Sequence, residues 1–242
     1  MRIVTLIQAR MGSGRFPGKV LCDLNGMTML ARVVRRAGRA AGVEESAVAT
    51  SVEPGDDAIL RECERLGVRC FRGDLEDVLD RYYHSACAAR AEAVVRLTAD
   101  NPLVDPQLID EVLGCFLRER PDYASNHLQP AYPLGLGLEI MTMAALERAW
   151  REATHREERV HVTPYIFRNP GRFRLYGVPA RSDYSDHRWT VDTPEDLEFM
   201  RRVYARFPDD TFGWQEVLRL VNAEPELEEV NRHVRQKELH EG

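Results

Sequence analysis

No apolar run reaches the roughly eighteen residues that a membrane-spanning helix needs. Met1-Arg2-Ile3-Val4 leads straight into a strand pattern, not into the basic segment and apolar core of a secretory leader. Five cysteines (Cys22, Cys63, Cys70, Cys87 and Cys115) are scattered and form no C-x-x-C pair. That number and spacing speak for reduced, mostly buried thiols, and against a disulfide frame or a zinc site. No H-x-x-x-H pattern adds support for zinc, and no G-x-S-x-G supports a serine hydrolase. The net charge of -6 argues against general nucleic-acid binding, which needs a basic face. With 44% hydrophobic and 30% charged residues, neither disorder nor a fibrous class is indicated. The expectation left standing is a soluble, cytoplasmic enzyme with a core of ordinary size.

What is present has an α/β rhythm. Ile3–Ile7 is apolar except for Thr5, as a buried parallel strand would be. Met29, Val33, Val34 and Ala37 then recur at helical spacing. Strands are predicted at Ala47–Thr50, Val68–Phe71 and Ala93–Leu97. Helices are predicted from Asp56 to Leu66, closed by Gly67, around Val78, Leu79, Tyr82, Tyr83 and Ala86, and from Pro106 through Leu117. After Asp122 the pattern loosens into a turn-rich Tyr132–Gly137, a strand at Leu138–Met141 and a helix at Met143–Trp150. Short strands are expected at Phe173–Pro179 and Arg188–Val191, and Thr193-Pro194-Glu195-Asp196 starts a helix with a hydroxyl cap and early acids. The fold class predicted is α/β. One domain spans 1–222, with a regular half at 1–125 and a more elaborated half at 126–222. Residues 223–242 read as a solvated, charged helical tail.

The densest functional signal is Gln8-Ala9-Arg10-Met11-Gly12-Ser13-Gly14-Arg15-Phe16-Pro17-Gly18-Lys19. It carries three cations and no acid, and it follows a strand, at the edge where open α/β sheets bind ligands. Its glycines allow backbone amides to approach an anion, and Ser13 adds a hydroxyl donor. Cations and amides together suit a polyphosphate. Neither G-x-x-x-x-G-K-[ST] nor G-x-G-x-x-G is present, so P-loop ATPases and nicotinamide dehydrogenases lose ground. A plain basic surface loop is the competing reading. Thr50 and Arg72-Gly73-Asp74, at the ends of two further strands, would face the same edge. Asp77 and Arg81 have the i, i+4 spacing of a helix ion pair. Asp100 follows the fourth strand, and Asp192 precedes a helix cap. If the strands run parallel near the sheet centre, the two carboxylates converge beside the phosphates, where magnesium fits. Without further support, a turn cap for Asp100 and a first-turn helix acid for Asp192 explain them as well.

The window IQARMGS-x-R-x-PGK-x-L resembles the signature of the nucleotidyltransferases that include acylneuraminate and 3-deoxy-manno-octulosonate cytidylyltransferases, and within them the SpsF-type branch. Similarity continues in order through Arg72-Gly73-Asp74, Asp77–Tyr82, Arg96–Leu103, Glu158–Tyr165 and Arg188–Leu197. Gly14 stands where serine or threonine is usual, Phe16 where leucine is, and Ala99-Asp100-Asn101 where Gly-Asp-Cys is. The resemblance implies a three-layer, Rossmann-like α/β/α fold with a mixed, mostly parallel sheet. It also implies an enzyme that joins CMP from CTP to an oxygen of a sugar acid or related acceptor and releases pyrophosphate, for surface polysaccharide synthesis. On this resemblance Arg10, Arg15 and Lys19 act on the triphosphate, and Gln8, Ala9, Met11, Gly12, Ser13, Thr50, Arg72 and Asp74 complete the nucleotide site. The resemblance likewise implies that Asp100 and Asp192 hold Mg2+ and that Glu139 and His161 face the acceptor, which makes 1–125 the nucleotide-binding half and 126–222 the acceptor-binding half. His187 reads as structural, and Trp150, Trp189 and Trp214 as core or interface anchors. A homodimer through 126–222 is compatible with the sequence. A glycosyltransferase using a nucleotide sugar and a non-catalytic nucleotide-binding module are the rival classes.

Overall fold

A computed structural model of the chain describes residues 1–236. The apolar run Ile3–Gln8 forms β1, which lies between β2 (Glu45–Ser51) and β4 (Ala93–Thr98) and is parallel to both. With β3 (Arg69–Gly73), β5 (Tyr123–Ser125), β6 (Glu139–Thr142) and β7 (Leu175–Gly177) it makes a seven-stranded sheet. The order is β3-β2-β1-β4-β6-β5-β7, and β6 alone runs antiparallel to its neighbours. This is the mixed, mostly parallel sheet the sequence led us to expect.

Alternation along β1 creates two cores, because successive side chains leave opposite faces of a strand. Ile3 and Ile7 join a cluster with α1 (Met29–Ala37), α2 (Asp57–Leu66) and α4 (Pro106–Glu119), extended by α8 (Pro194–Tyr204) and α9 (Trp214–Ala223). Val4 and Leu6 face the other layer, where α3 (Val78–Ala88), α5 (Met143–Glu152) and the short α7 (Pro164–Phe167) pack. Two smaller helices, α6 (Arg156–His161) and α10 (Glu226–Glu229), complete the α-helices among the described residues. Local signals fix most helix ends. Gly67 closes α2 at φ 67°, Asp105 accepts the Gln107 and Leu108 amides at the start of α4, and Thr193 and Asp196 cap α8 reciprocally.

Four expectations need correction. Arg188–Val191 is not a strand, for it makes one isolated bridge, Leu134 to Arg188. The Trp189 amide donates to Leu134 and the Val191 amide to Asp100, so its backbone partners belong to different segments and no ladder can grow. Asp77 and Arg81 do not pair: Asp77 caps α3 and binds Arg159 at 2.6 Å, while Arg81 turns inward to the Asp74 carbonyl. Only Cys63 is fully buried, and Cys87 is exposed. The expected solvated tail is, up to Gln236, a docked segment in which Leu227 and Asn231 are buried. The rest of it, residues 237–242, lies outside the described residues.

Candidate active site

The strand order reverses between β1 and β4: the chain runs outward from β1 through β2 and β3, then returns to place β4 on the other side of β1. At such a point the segments leaving two neighbouring parallel strands diverge, and a crevice opens at their carboxyl ends. Here the crevice is a cavity of about 690 Å³. The β1 end and its basic loop line one side, Arg96–Asn101 the floor, and the 126–139 and 185–192 segments the other side.

The loop after β1 is shaped by its own backbone and by one carboxylate. The Met11 carbonyl accepts the Ser13 and Gly18 amides at 3.1 and 2.8 Å, and the Met11 amide donates to Asp56 Oδ1 at 2.6 Å. Asp56 also accepts the Ser51 amide and hydroxyl, so it ties the loop to the end of β2. Gly18, at φ 76°, reverses the chain into a single helical turn, Lys19–Leu21, that carries Lys19 into the crevice.

Lys19 then meets three oxygens. Its Nζ lies 2.9 Å from Asp100 Oδ2, 2.9 Å from Asp192 Oδ1 and 2.7 Å from the Val191 carbonyl. Burial by itself would lower the Lys19 pKa, but the attraction of Asp100 and Asp192 prevails and raises it. Asp192 is a hub: its other oxygen takes Arg15 Nη2 at 2.7 Å and Arg188 Nη2 at 3.1 Å. Burial would push its carboxyl up, yet Lys19, Arg15 and Arg188 hold it below the ordinary range. Arg188 is itself fixed by Asp196, with Nε and Nη2 each at 2.9 Å. Arg10 lines the same cavity and makes no ion pair among the described residues.

Arg96 and Glu139, also on the cavity lining, sit directly opposite each other in the β4–β6 ladder and form an ion pair in which Glu139 is buried and Arg96 partly so. The Tyr123 hydroxyl donates to Glu139 Oε1 at 2.5 Å, and Arg96 Nη2 reaches Gln8 Oε1 at 3.3 Å. Burial would raise the Glu139 pKa, but Arg96, His127, Thr163 and Tyr123 together lower it. His161 borders the same space at the end of α6. The next residue, Val162, adopts φ 74° and ψ -56°, and the Thr163 amide closes back on the His161 carbonyl at 2.9 Å. That is a tight γ-turn in a conformation a β-branched residue seldom takes.

The cavity therefore gathers Gln8, Ala9, Arg10, Ser13, Arg15, Lys19, Asp100, Glu139, His161 and Asp192. Met11 and Gly12 shape the loop from outside the lining. Thr50, Arg72 and Asp74 lie away from it. Arg72 is engaged with the Ser51 and Glu53 carbonyls and with Asp57, and Asp74 accepts the Glu76 and Asp77 amides in a turn. Sequence reasoning missed Asp56, the Arg188–Asp196 pair and the C-terminal strap. In that strap Glu228 accepts Trp189 Nε1 at 2.9 Å and meets His187 Nδ1 at 2.8 Å. Gln236 takes Arg188 Nη1 at 2.7 Å, and the Arg235 carbonyl takes Arg15. Leu227, Val230 and Val234 were the available signal, a sparse apolar series inside an otherwise charged stretch.

No cluster of three or more metal-binding side chains occurs among the described residues. Two carboxylates and a carbonyl nevertheless converge on one cation, the Lys19 ammonium. An all-oxygen set of this kind suits magnesium, whose remaining positions go to phosphate and water. The residues present fit that ion.

Residues 4–236 match the family model described as cytidylyltransferase. The chain is 34% identical to the spore coat polysaccharide biosynthesis protein SpsF of Bacillus subtilis, across 93% of this chain and 95% of that protein. It is 42% identical to a 3-deoxy-manno-octulosonate cytidylyltransferase of Anaeromyxobacter dehalogenans, across 84% of this chain and 98% of the relative. A solved cytidylyltransferase from Leptospira borgpetersenii superposes with a TM-score of 0.92 at 30% identity, covering 98% of this chain and all of the other.

Proposed function

Because the chain belongs to the cytidylyltransferase family, in its CMP-sugar and SpsF-type branch, we propose that it moves CMP from CTP onto an oxygen of a sugar acid or related polyhydroxylated acceptor. The acceptor oxygen forms a bond to the α-phosphorus, the bond to the β-phosphate oxygen breaks, and pyrophosphate leaves. The observation that carries this reading is one cavity in which Arg10, Arg15 and Lys19 face Asp100 and Asp192 across the β1–β4 crevice.

In this reading the three cations hold the triphosphate and stabilise the charge that grows on departing pyrophosphate. Their placement before reaction is the main source of rate, since fixed charges need no reorganisation. Asp100 and Asp192 would hold magnesium, which when bound neutralises charge on the phosphate oxygens. Glu139, kept ionised and immobile by Arg96 and Tyr123, and His161 would orient acceptor hydroxyls. We further propose that the product feeds a surface polysaccharide, that the enzyme works in the cytoplasm, and that residues 126–222 pair two copies.

Pyrophosphate release is the test: the four ribonucleoside triphosphates with magnesium, each against a panel of sugar acids, polyols and phosphonates. Release with CTP and one acceptor class, with a CMP-linked product, is expected. Consumption of a nucleotide sugar without pyrophosphate would replace this reading with glycosyl transfer, and nucleotide binding without turnover would leave a binding module.

A further inference from the structure

The chain has 31 arginines and two lysines, Lys19 and Lys237. One of those two occupies the point where Asp100, Asp192 and the Val191 carbonyl converge. The choice of residue has a geometric reason. An ammonium has three donors on a compact centre, and the cage offers three acceptors at 2.7 to 2.9 Å. A planar guanidinium, by contrast, would not fit inside such a cage. The same three oxygens are the hard ligands a divalent cation would use. Magnesium bonds oxygen at about 2.0–2.1 Å, so ammonium and metal cannot share that centre.

We infer that Lys19 is a resident stand-in for the divalent cation. It closes the metal position until a triphosphate draws the ammonium away, so that metal and nucleotide bind as one coupled event. The inference rests on the proposed assignment of Asp100 and Asp192 as metal ligands. Arg15 also sits on Asp192, so the triphosphate would relieve that carboxylate of two cations at once. Asp192 would not be set adrift. Arg188 still holds its side chain, and Asp196 accepts its backbone amide at 2.9 Å. The carboxylates thus keep the phosphate-binding cations in place before nucleotide arrives, and the cations keep the carboxylates from capturing metal unproductively. Coupling of this kind is reciprocal: whatever factor nucleotide adds to metal affinity, metal adds to nucleotide affinity.

The test titrates the full chain with Mn2+ alone, reading free Mn2+ by electron paramagnetic resonance. Wild type, Lys19→Met and Lys19→Met/Asp100→Asn are compared. The inference expects Lys19→Met to bind Mn2+ at least ~10-fold tighter than wild type, a factor within the usual range of coupling between sites. Adding Asp100→Asn should abolish that gain. Mn2+ should also raise the melting temperature of Lys19→Met well above any effect on wild type. Should the methionine variant not fold, Lys19→Gln carries the same comparison. Equal Mn2+ affinity in wild type and the Lys19 variants overturns the inference. A second arm adds α,β-methylene CTP, which cannot release pyrophosphate. It should tighten Mn2+ binding to wild type far more than to Lys19→Met, and equal tightening in both also overturns it. The arm without nucleotide reads the stand-in role even if CTP proves not to be the substrate, so the two failures are distinguishable.

Discussion

At the scale of single residues, the site is organised by charges whose worth depends on burial. Lys19 is buried among three oxygens in the unliganded protein, and its removal takes away the positive charge that a triphosphate would draw toward the departing pyrophosphate. Lys19→Ala should lower kcat on the order of a hundredfold or more, as loss of one fixed donor does, in a pyrophosphate-release assay. Lys19→Arg should not restore it fully, because a longer, planar guanidinium places its charge differently from a compact ammonium. Arg96 and Glu139 test a different property. Glu139 is buried and Arg96 partly so, and removing Arg96 strands the Glu139 charge in a poorly solvated place. Arg96→Leu should cost about 3–5 kcal/mol in denaturant unfolding, and the double change Arg96→Leu/Glu139→Leu should recover part of it. A loss under 1 kcal/mol for the single variant would show that Glu139 is not stranded there.

At the scale of elements, the reading from sequence succeeded where a run of side chains had one job. β1 and β4 are apolar because both faces are covered, and α8 announces itself with a threonine cap, a proline and two acids. Arg188–Val191 misled because an extended backbone rich in Trp, Thr and Val looks like a strand whether or not a neighbour offers a matching ladder. β5 was passed over because three residues carry too little periodicity to register. The tail misled for a related reason: Leu227 and Asn231 dock it, and apolar residues this sparse in a run of glutamates leave only a faint pattern. Its docking has a pH signature. His187 sits against Glu228, and that contact raises its pKa above the ordinary value of about 6.5, with partial burial opposing. A raised pKa in the folded state means the contribution is fully present below about 6.5 and is lost as pH climbs through the folded value. Thermal melts should therefore show wild type ahead of His187→Gln near pH 6, with the gap narrowing by pH 8. A gap that widens with pH would show that the two groups do not pair as described.

At the scale of the whole molecule, the position of the site follows from topology before any side chain is considered. The reversal of strand order opens the crevice at the ends of β1 and β4. The chain then brings the basic loop from residues 9–19 to one wall and Asp192 to the other, across more than half its length. The basic loop and Asp100 could be located from sequence because each directly follows an apolar strand. From sequence, Asp192 is reached as the end of a strand at Arg188–Val191, which does not form; what holds it there is Arg188, Asp196 and the C-terminal strap. A ligand that bridges both walls should then stabilise the fold as a unit. At free CTP about 100-fold above Kd, mass action adds about 2.7 kcal/mol, which for a domain of this size is a rise in Tm of roughly 5–10 °C. The rise should shrink in Arg10→Ala, which removes the cavity cation that makes no ion pair among the described residues, while the unliganded melt stays close to wild type. A CTP shift that Arg10→Ala leaves unchanged would mean that the triphosphate is held elsewhere than in the β1–β4 crevice.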